Sequence, residues 1–324
     1  MHTSQIVWFF CLVFVFITQA SAQTQPKTKP YQSPKDILFR KANVISEGTR
    51  MTAELFTLKE NENKRLPTII MCHGWGGVAK MLRPDAVVFA RAGYFVVTFD
   101  YRGWGESNGR LVLVKPSKKG NPGEPFTAKV REIREIVDPI DQTTDLLNVI
   151  HWVQSEKQCD TRRIGLWGSS YSGGHVVYAA QQDQRVKATV SQVPALDSRW
   201  VMLGLGKFKT LAEATKRTRG QIGYPKPGAK FGSLRGIPIR ERLRNYAPVE
   251  NMEKASRCAM LFIVAEKEEL FDNKYHAVLA HKRAKGPKKL ITIPNIKHYG
   301  IYKEARGKAQ EIAIEWYDKH LKKK

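Results

Sequence analysis

Short aliphatic runs alternate with stretches of helical periodicity along most of this 324-residue chain. "RLPTIIMCHGWGG" is a buried-strand pattern that stops in a glycine-rich turn, "MLRPDAVVFARAGY" follows with helical spacing, and "FVVTFDYRGWGES" is again β-rich. "DPIDQTTDLLNVIHWVQSE" then opens a helix, with Asp138 as N-cap, Pro139 in the first helical position and Leu146, Val149, Ile150 and Val153 on one face. "RIGLW", "VKATVSQVPA", "AMLFIVAEKEEL" and "KKLITIPNIKHYG" supply further strands, and "KEARGKAQEIAIEWYDKHLKKK" reads as a closing amphipathic helix. Strands that alternate with helices require crossover connections, so the pattern predicts an α/β fold with a mainly parallel central sheet flanked by helices. Ligands of such sheets sit beyond the carboxyl ends of the strands, which makes the post-strand residues the ones to search.

Two regions break the alternation. Residues 107–137 form a long polar excursion, and about 197–248 is a glycine-, proline- and arginine-rich insertion that predicts a cap over the strand ends. "RMTAELFTLKE" is a further candidate strand before the first glycine-rich turn. At the front, "IVWFFCLVFVFIT" followed by Ala20-Ser21-Ala22 has the form of a secretory signal peptide over 1–22, and the proline-rich 23–34 reads as a lead-in to a domain over 35–324. The apolar run is shorter than the roughly 20 residues that span a bilayer, so cleavage and a secreted or periplasmic enzyme are expected, with no transmembrane anchor afterwards. Cys72, Cys159 and Cys258 would remain, an odd number without metal-site spacing, expected as buried thiols, with a Cys159 to Cys258 bridge as the alternative.

The net charge is +24, and residues 200–248 hold 11 Lys or Arg against 2 Glu. Such a balance favours anionic surroundings such as acidic polysaccharide or lipid headgroups. With neither a helix-turn-helix pattern nor an aromatic-interleaved basic motif, it does not indicate specific nucleic-acid recognition.

The chemistry concentrates in "Gly168-Ser169-Ser170-Tyr171-Ser172-Gly173". A G-x-S-x-G-like turn between strand and helix presents its central serine, here Ser170, and small neighbours are needed because the backbone is crowded; Ser172 stands where a glycine is usual. Serine is a weak nucleophile at neutral pH and needs a base, a group to orient that base, and donors for the developing oxyanion. His298 follows a late strand and is the candidate base. Glu266, Glu268, Glu269 and Asp272 follow the preceding strand and compete for the orienting role. Backbone N–H groups of Tyr171 and of Trp75, in "His73-Gly74-Trp75-Gly76-Gly77", are the candidate oxyanion donors, with His73 stabilising that loop. Asp100, Arg102 and Asp145 are expected to be structural.

"CHGWGG", "FDYRGWGES", "RIGLWGSSYSGG", "VAEKEEL" and "IKHYGIY" together resemble the α/β-hydrolase superfamily, in its dienelactone-hydrolase-like and Xaa-Pro dipeptidyl-peptidase-like branch. The resemblance runs from about residue 35 to 321 and implies a serine, acid, histidine order. Its G-E-x-D pattern aligns with Ala265-Glu266-Lys267-Glu268, which selects Glu268, a glutamate in place of the commoner aspartate. Many peptidase relatives carry an extra C-terminal β domain, and none follows the closing helix here, which favours a compact esterase. The expectation is therefore a serine hydrolase of carboxylic esters, acting on a small-molecule or polysaccharide-linked, anionic substrate with no metal or organic cofactor. A peptidase or other amide or thioester hydrolase, and a non-catalytic binder of an anionic polymer, are the alternatives.

Overall fold

The structure, a computed structural model, describes residues 30–116, 123–199 and 207–322. Contacts divide the chain between Ser33 and Pro34, and every element named below belongs to the unit that begins at Pro34. The expected signal peptide and most of the lead-in lie outside the described residues.

Eight strands form one sheet: β1 (Ile37–Ser46), β2 (Thr49–Leu58), β3 (Leu66–Cys72), β4 (Phe95–Phe99), β5 (Cys159–Ser169), β6 (Val186–Gln192), β7 (Ala259–Ala265) and β8 (Lys288–Ile293). Their spatial order is β1-β2-β4-β3-β5-β6-β7-β8. Pairing from β4 through β8 is parallel, and β2 is antiparallel to both of its neighbours. Helices α1 (Arg83–Arg91), α2 (Pro139–Val153), α3 (Tyr171–Gln182), α4 (Ala277–Arg283) and α5 (Arg306–Tyr317) complete the α/β arrangement. Strands β3 and β7 are buried along their whole length, as central strands covered on both faces must be, and this is why they read as unbroken apolar runs.

Strand β1 was not legible in the sequence. It is an edge strand in which only Ile37, Val44 and Ser46 are buried, so its hydrophobic periodicity is too thin to register. Glu47 and Gly48 turn it into β2, both with positive φ (47° and 73°), as a tight hairpin requires. Helix α2 starts as expected: the Asp138 carboxylate accepts from the N–H groups of Ile140 (3.1 Å) and Asp141 (3.3 Å). Its four apolar-face residues, Leu146, Val149, Ile150 and Val153, are all fully buried.

Both excursions hold more structure than their polarity suggested. The first contains a two-stranded hairpin, Arg110–Leu113 against Val130–Ile133. The second contains a helix, Lys207–Thr218, a short ladder, Lys230–Phe231 with Leu234–Arg235, and a helical turn at Arg240–Leu243. Ile136–Val137 pairs in parallel with Ile237–Pro238 and so stitches the excursions together. Beneath that stitch lies the loop after β4. The Trp104 indole N–H donates to the Ile136 carbonyl (3.0 Å), and Gly236, at φ 94°, sits where a Cβ would lie 2.6 Å from the Trp104 ring. Asp100 accepts from the N–H groups of Ala79 (2.7 Å) and Glu106 (2.9 Å), and buried Arg102 pairs with buried Asp145 at 2.5 Å. Burial pushes the Asp145 carboxyl above the usual range while Arg102 pulls it down.

Candidate active site

Four strand ends meet in one place. Strand β5 ends at Ser169, and α3 begins at Tyr171, so Ser170 alone makes the turn, with φ 59° and ψ −121°. A non-glycine residue there is strained, and the surroundings hold it in place. The Ser170 N–H donates to the Gln192 carbonyl (2.9 Å), and its carbonyl accepts from Gly173 (3.0 Å) and Ala195 (3.0 Å). Crowding explains the small neighbours: a Cβ on Gly168 would lie 2.3 Å from the Ser172 carbonyl oxygen, and one on Gly174 would lie 2.3 Å from that of Ala195. Ser172 does more than fit. Its buried hydroxyl donates to the Cys72 carbonyl (2.8 Å) and accepts from the Ser169 N–H (2.9 Å), tying the ends of β3 and β5 together.

His298 opens a short helical turn after β8, and Glu268 lies three residues beyond β7. The His298 ring places Nε2 3.0 Å from Ser170 Oγ and Nδ1 2.9 Å from both carboxylate oxygens of Glu268. An ionised carboxylate only accepts, so Nδ1 carries the proton and Nε2 is left to accept from the serine hydroxyl. The His298 and Glu268 side chains are each 1% exposed, and Phe271 stands edge-on to the imidazole at 5.5 Å. The competing acids separate by their partners. Glu269 accepts from the His298 backbone N–H (2.8 Å), Glu266 from that of Asn295 (2.7 Å), and Asp272 from that of Lys274 (2.8 Å). Glu269 as a second support of His298 was missed, because a backbone acceptor leaves no spacing signature.

The loop after β3 lies over the elbow: a Cβ on Gly74 would be 2.9 Å from the Ser169 carbonyl oxygen and 3.8 Å from the Tyr171 nitrogen. Tyr171 occupies the first helical position, whose N–H has no intrahelical acceptor. Trp75 is anchored through its side chain, donating from Nε1 to Gly236 (3.2 Å) and stacking on Phe231 at 5.5 Å. His73 Nδ1 bonds the Gly74 carbonyl (3.1 Å), and burial pulls its pKa down to about 4, so the ring is a neutral strut of the loop. The other buried histidines serve packing. His175 Nδ1 meets the Tyr246 hydroxyl at 2.5 Å, and His276 Nδ1 accepts from the Leu196 N–H (2.9 Å). Burial lowers them to about 3 and about 4.

Ser170 and His298 open onto a cavity of about 450 Å³. Met81, Leu82, Trp167, Leu234, Leu270 and Ile301 make its walls apolar. Its charged lining residues among those described, Asp85 and Arg306, neutralise each other through a two-point ion pair (2.9 and 2.7 Å), and Gln310 also donates to Asp85 (2.6 Å). The positive charge of the 197–248 segment is partly consumed in the same way. Arg217 pairs with Glu241, Arg235 with Glu135, Arg240 with Glu213, and Arg242 with Asp138. Cys72, Cys159 and Cys258 are buried free thiols, raised in pKa by burial, and no Cys159 to Cys258 bridge forms. Among the described residues, no cluster of His, Cys, Asp and Glu could hold a metal ion, and no helix is long and apolar enough to cross a membrane.

Residues 47–210 match the family described as X-Pro dipeptidyl-peptidase (S15 family), and residues 139–324 match the prolyl oligopeptidase family. The chain belongs to the α/β-hydrolase superfamily, in its Xaa-Pro peptidase-like branch. This α/β-hydrolase is 31% identical to an uncharacterized 31.7 kDa protein of Escherichia coli, over 86% of this chain and 98% of the relative. Its fold is shared by a hypothetical protein of Pseudomonas aeruginosa, with a TM-score of 0.71 at 20% identity over 90% of this chain and 96% of the other. It is also shared by Est1E of Butyrivibrio proteoclasticus, solved with ferulic acid bound, with a TM-score of 0.65 at 17% identity over 87% of this chain and 100% of the other. Membership makes the protein an enzyme of the hydrolase class, esterase- or peptidase-like.

Proposed function

We propose that this α/β-hydrolase is a serine esterase that cleaves carboxylic esters through an acyl-enzyme on Ser170. The observation that carries this reading is the unbroken hydrogen-bonded chain from Ser170 Oγ through His298 to Glu268, opening onto an apolar cavity. His298 Nε2 takes the Ser170 proton as Oγ attacks the ester carbonyl, and Glu268 holds the resulting imidazolium through Nδ1–H. The N–H groups of Tyr171 and Trp75 receive the oxyanion. His298 then returns the proton to the leaving alcohol oxygen, and water repeats the sequence to release the acid.

The cavity supports a neutral, apolar or aromatic group on the bound side of the ester, because Asp85 and Arg306 cancel there. The 11-to-2 excess of Lys and Arg over Glu in residues 200–248 supports a polysaccharide-linked or anionic remainder of the substrate. An Xaa-Pro dipeptidyl peptidase must seat an N-terminal ammonium, which calls for a free carboxylate in the cavity. Asp85 already accepts three hydrogen bonds from Arg306 and Gln310, which favours esters over dipeptidyl amides. The apolar leader supports a secreted or periplasmic enzyme.

The test compares fluorophosphonate labelling and turnover of aryl esters and Xaa-Pro anilides. Labelling of wild type, its loss in Ser170→Ala, and ester turnover well above anilide turnover are expected. An unlabelled, folded wild type that binds acidic polymer in a salt-sensitive way would overturn the enzyme reading, and dominant anilide turnover would overturn the ester preference.

A further inference from the structure

Tyr302 lies four residues beyond His298, lines the same cavity, and has no part in the proton path from Ser170 to Glu268. Tyr302 is 38% exposed as a residue, and burial pushes its pKa up to about 12, so it carries its proton at neutral pH. The buried Ser169 hydroxyl donates to Tyr302 Oη at 2.8 Å. A phenol that accepts from Ser169 has its own O–H free to donate elsewhere, and Ser170, the next residue in the chain, lines the same cavity. The imidazole of His298 stands 6.3 Å away, ring to ring, and the Tyr302 hydroxyl meets the residue that precedes the nucleophile, so Tyr302 borders both base and elbow.

We propose that Tyr302, oriented by Ser169, donates a hydrogen bond to the oxygen that leaves Ser170's tetrahedral adduct, and equally to the water that replaces it. This rests on the proposed Ser170 chemistry. The leaving oxygen must lie beside His298 Nε2 to receive its proton, and the attacking water occupies the same position when the steps run in reverse. As the carbon–oxygen bond breaks, negative charge grows on the leaving oxygen. His298 delivers the proton, while Tyr302 keeps its own and only stabilises the charge. A nitrophenolate carries that charge unaided; an alkoxide does not, so the contribution of Tyr302 grows as the leaving group worsens.

The experiment measures kcat/KM of wild type, Tyr302→Phe and Ser169→Ala on 4-nitrophenyl, phenyl and ethyl butyrate. Tyr302→Phe keeps the ring and is expected to lose about tenfold on the ethyl ester, the scale of one lost hydrogen bond, and less than about twofold on the nitrophenyl ester. Ser169→Ala follows the same trend more weakly. A loss equal across the three esters, or no loss on any, overturns the assignment. Unchanged fluorophosphonate labelling of both variants verifies that Ser170 and His298 remain in place. A wild type that neither labels nor turns over any ester overturns the Ser170 reading itself, a result distinguishable from flat behaviour of an active enzyme.

Discussion

The elbow and the cap are held together by opposite means. Around Ser170 the backbone is crowded to the point where single methyl groups do not fit, and hydroxyls and carbonyls from β3, β5 and the 192–195 segment pin it from several sides. The described parts of the 197–248 segment are held by two-residue ladders, the Trp75 and Trp104 contacts, and ion pairs whose arginine side chains are 17–48% exposed. The difference separates two tasks. A reacting hydroxyl has to be fixed to within a fraction of an ångström, whereas a cover over the cavity only has to be retained.

That contrast can be broken at its rigid end first. Glu268→Gln removes the charge that stabilises the His298 imidazolium and adds an NH2 donor that can select the wrong His298 tautomer, and it is expected to cost on the order of 10⁴ in ester kcat. Glu269→Gln keeps an oxygen for the His298 N–H and should stay within about threefold; equal losses in the two variants would merge roles that the geometry separates. Gly174→Ala drives a methyl into the Ala195 carbonyl, and a loss of about 1–3 kcal/mol in urea unfolding is expected, with an unperturbed midpoint counting against the crowded elbow.

The buried histidines sharpen the comparison through pH. His73 and His175 have folded pKa values near 4 and 3, below the ordinary 6.5, so the unfolded chain binds their protons first as pH falls. Their contribution to stability is complete above about pH 6.5 and drains from there down to about pH 4 for His73 and about pH 3 for His175, at up to about 1.4 kcal/mol per pH unit for each. Urea midpoints at pH 7 and pH 5 measure it, and a flat profile contradicts neutral burial. The smallest effect belongs to the cap: Arg217→Gln, which leaves a partly exposed Glu241, should cost at most about 1 kcal/mol and less in high salt.

Much of the molecule was readable before folding was considered. The alternation of apolar runs and helical stretches predicted the parallel sheet because buried central strands must be continuously apolar. The elbow was readable because strain leaves small residues beside one serine, and the serine, acid, histidine order was implied by the family resemblance. What the local sequence could not express needed neighbours distant in the chain. Four carboxylates after β7 look alike by position, and only the resemblance singled out Glu268; β8 brings the His298 ring to it and the His298 backbone N–H to Glu269. Tyr302 is one more aromatic residue until β5 places Ser169 against its hydroxyl. The basic segment looks uniformly cationic until Glu135, Asp138 and the segment's own glutamates reach its arginines. Periodicity and steric restriction are properties of adjacent residues and so are written locally; hydrogen-bond partners and charge compensation depend on which surfaces meet, and only the tertiary structure decides that.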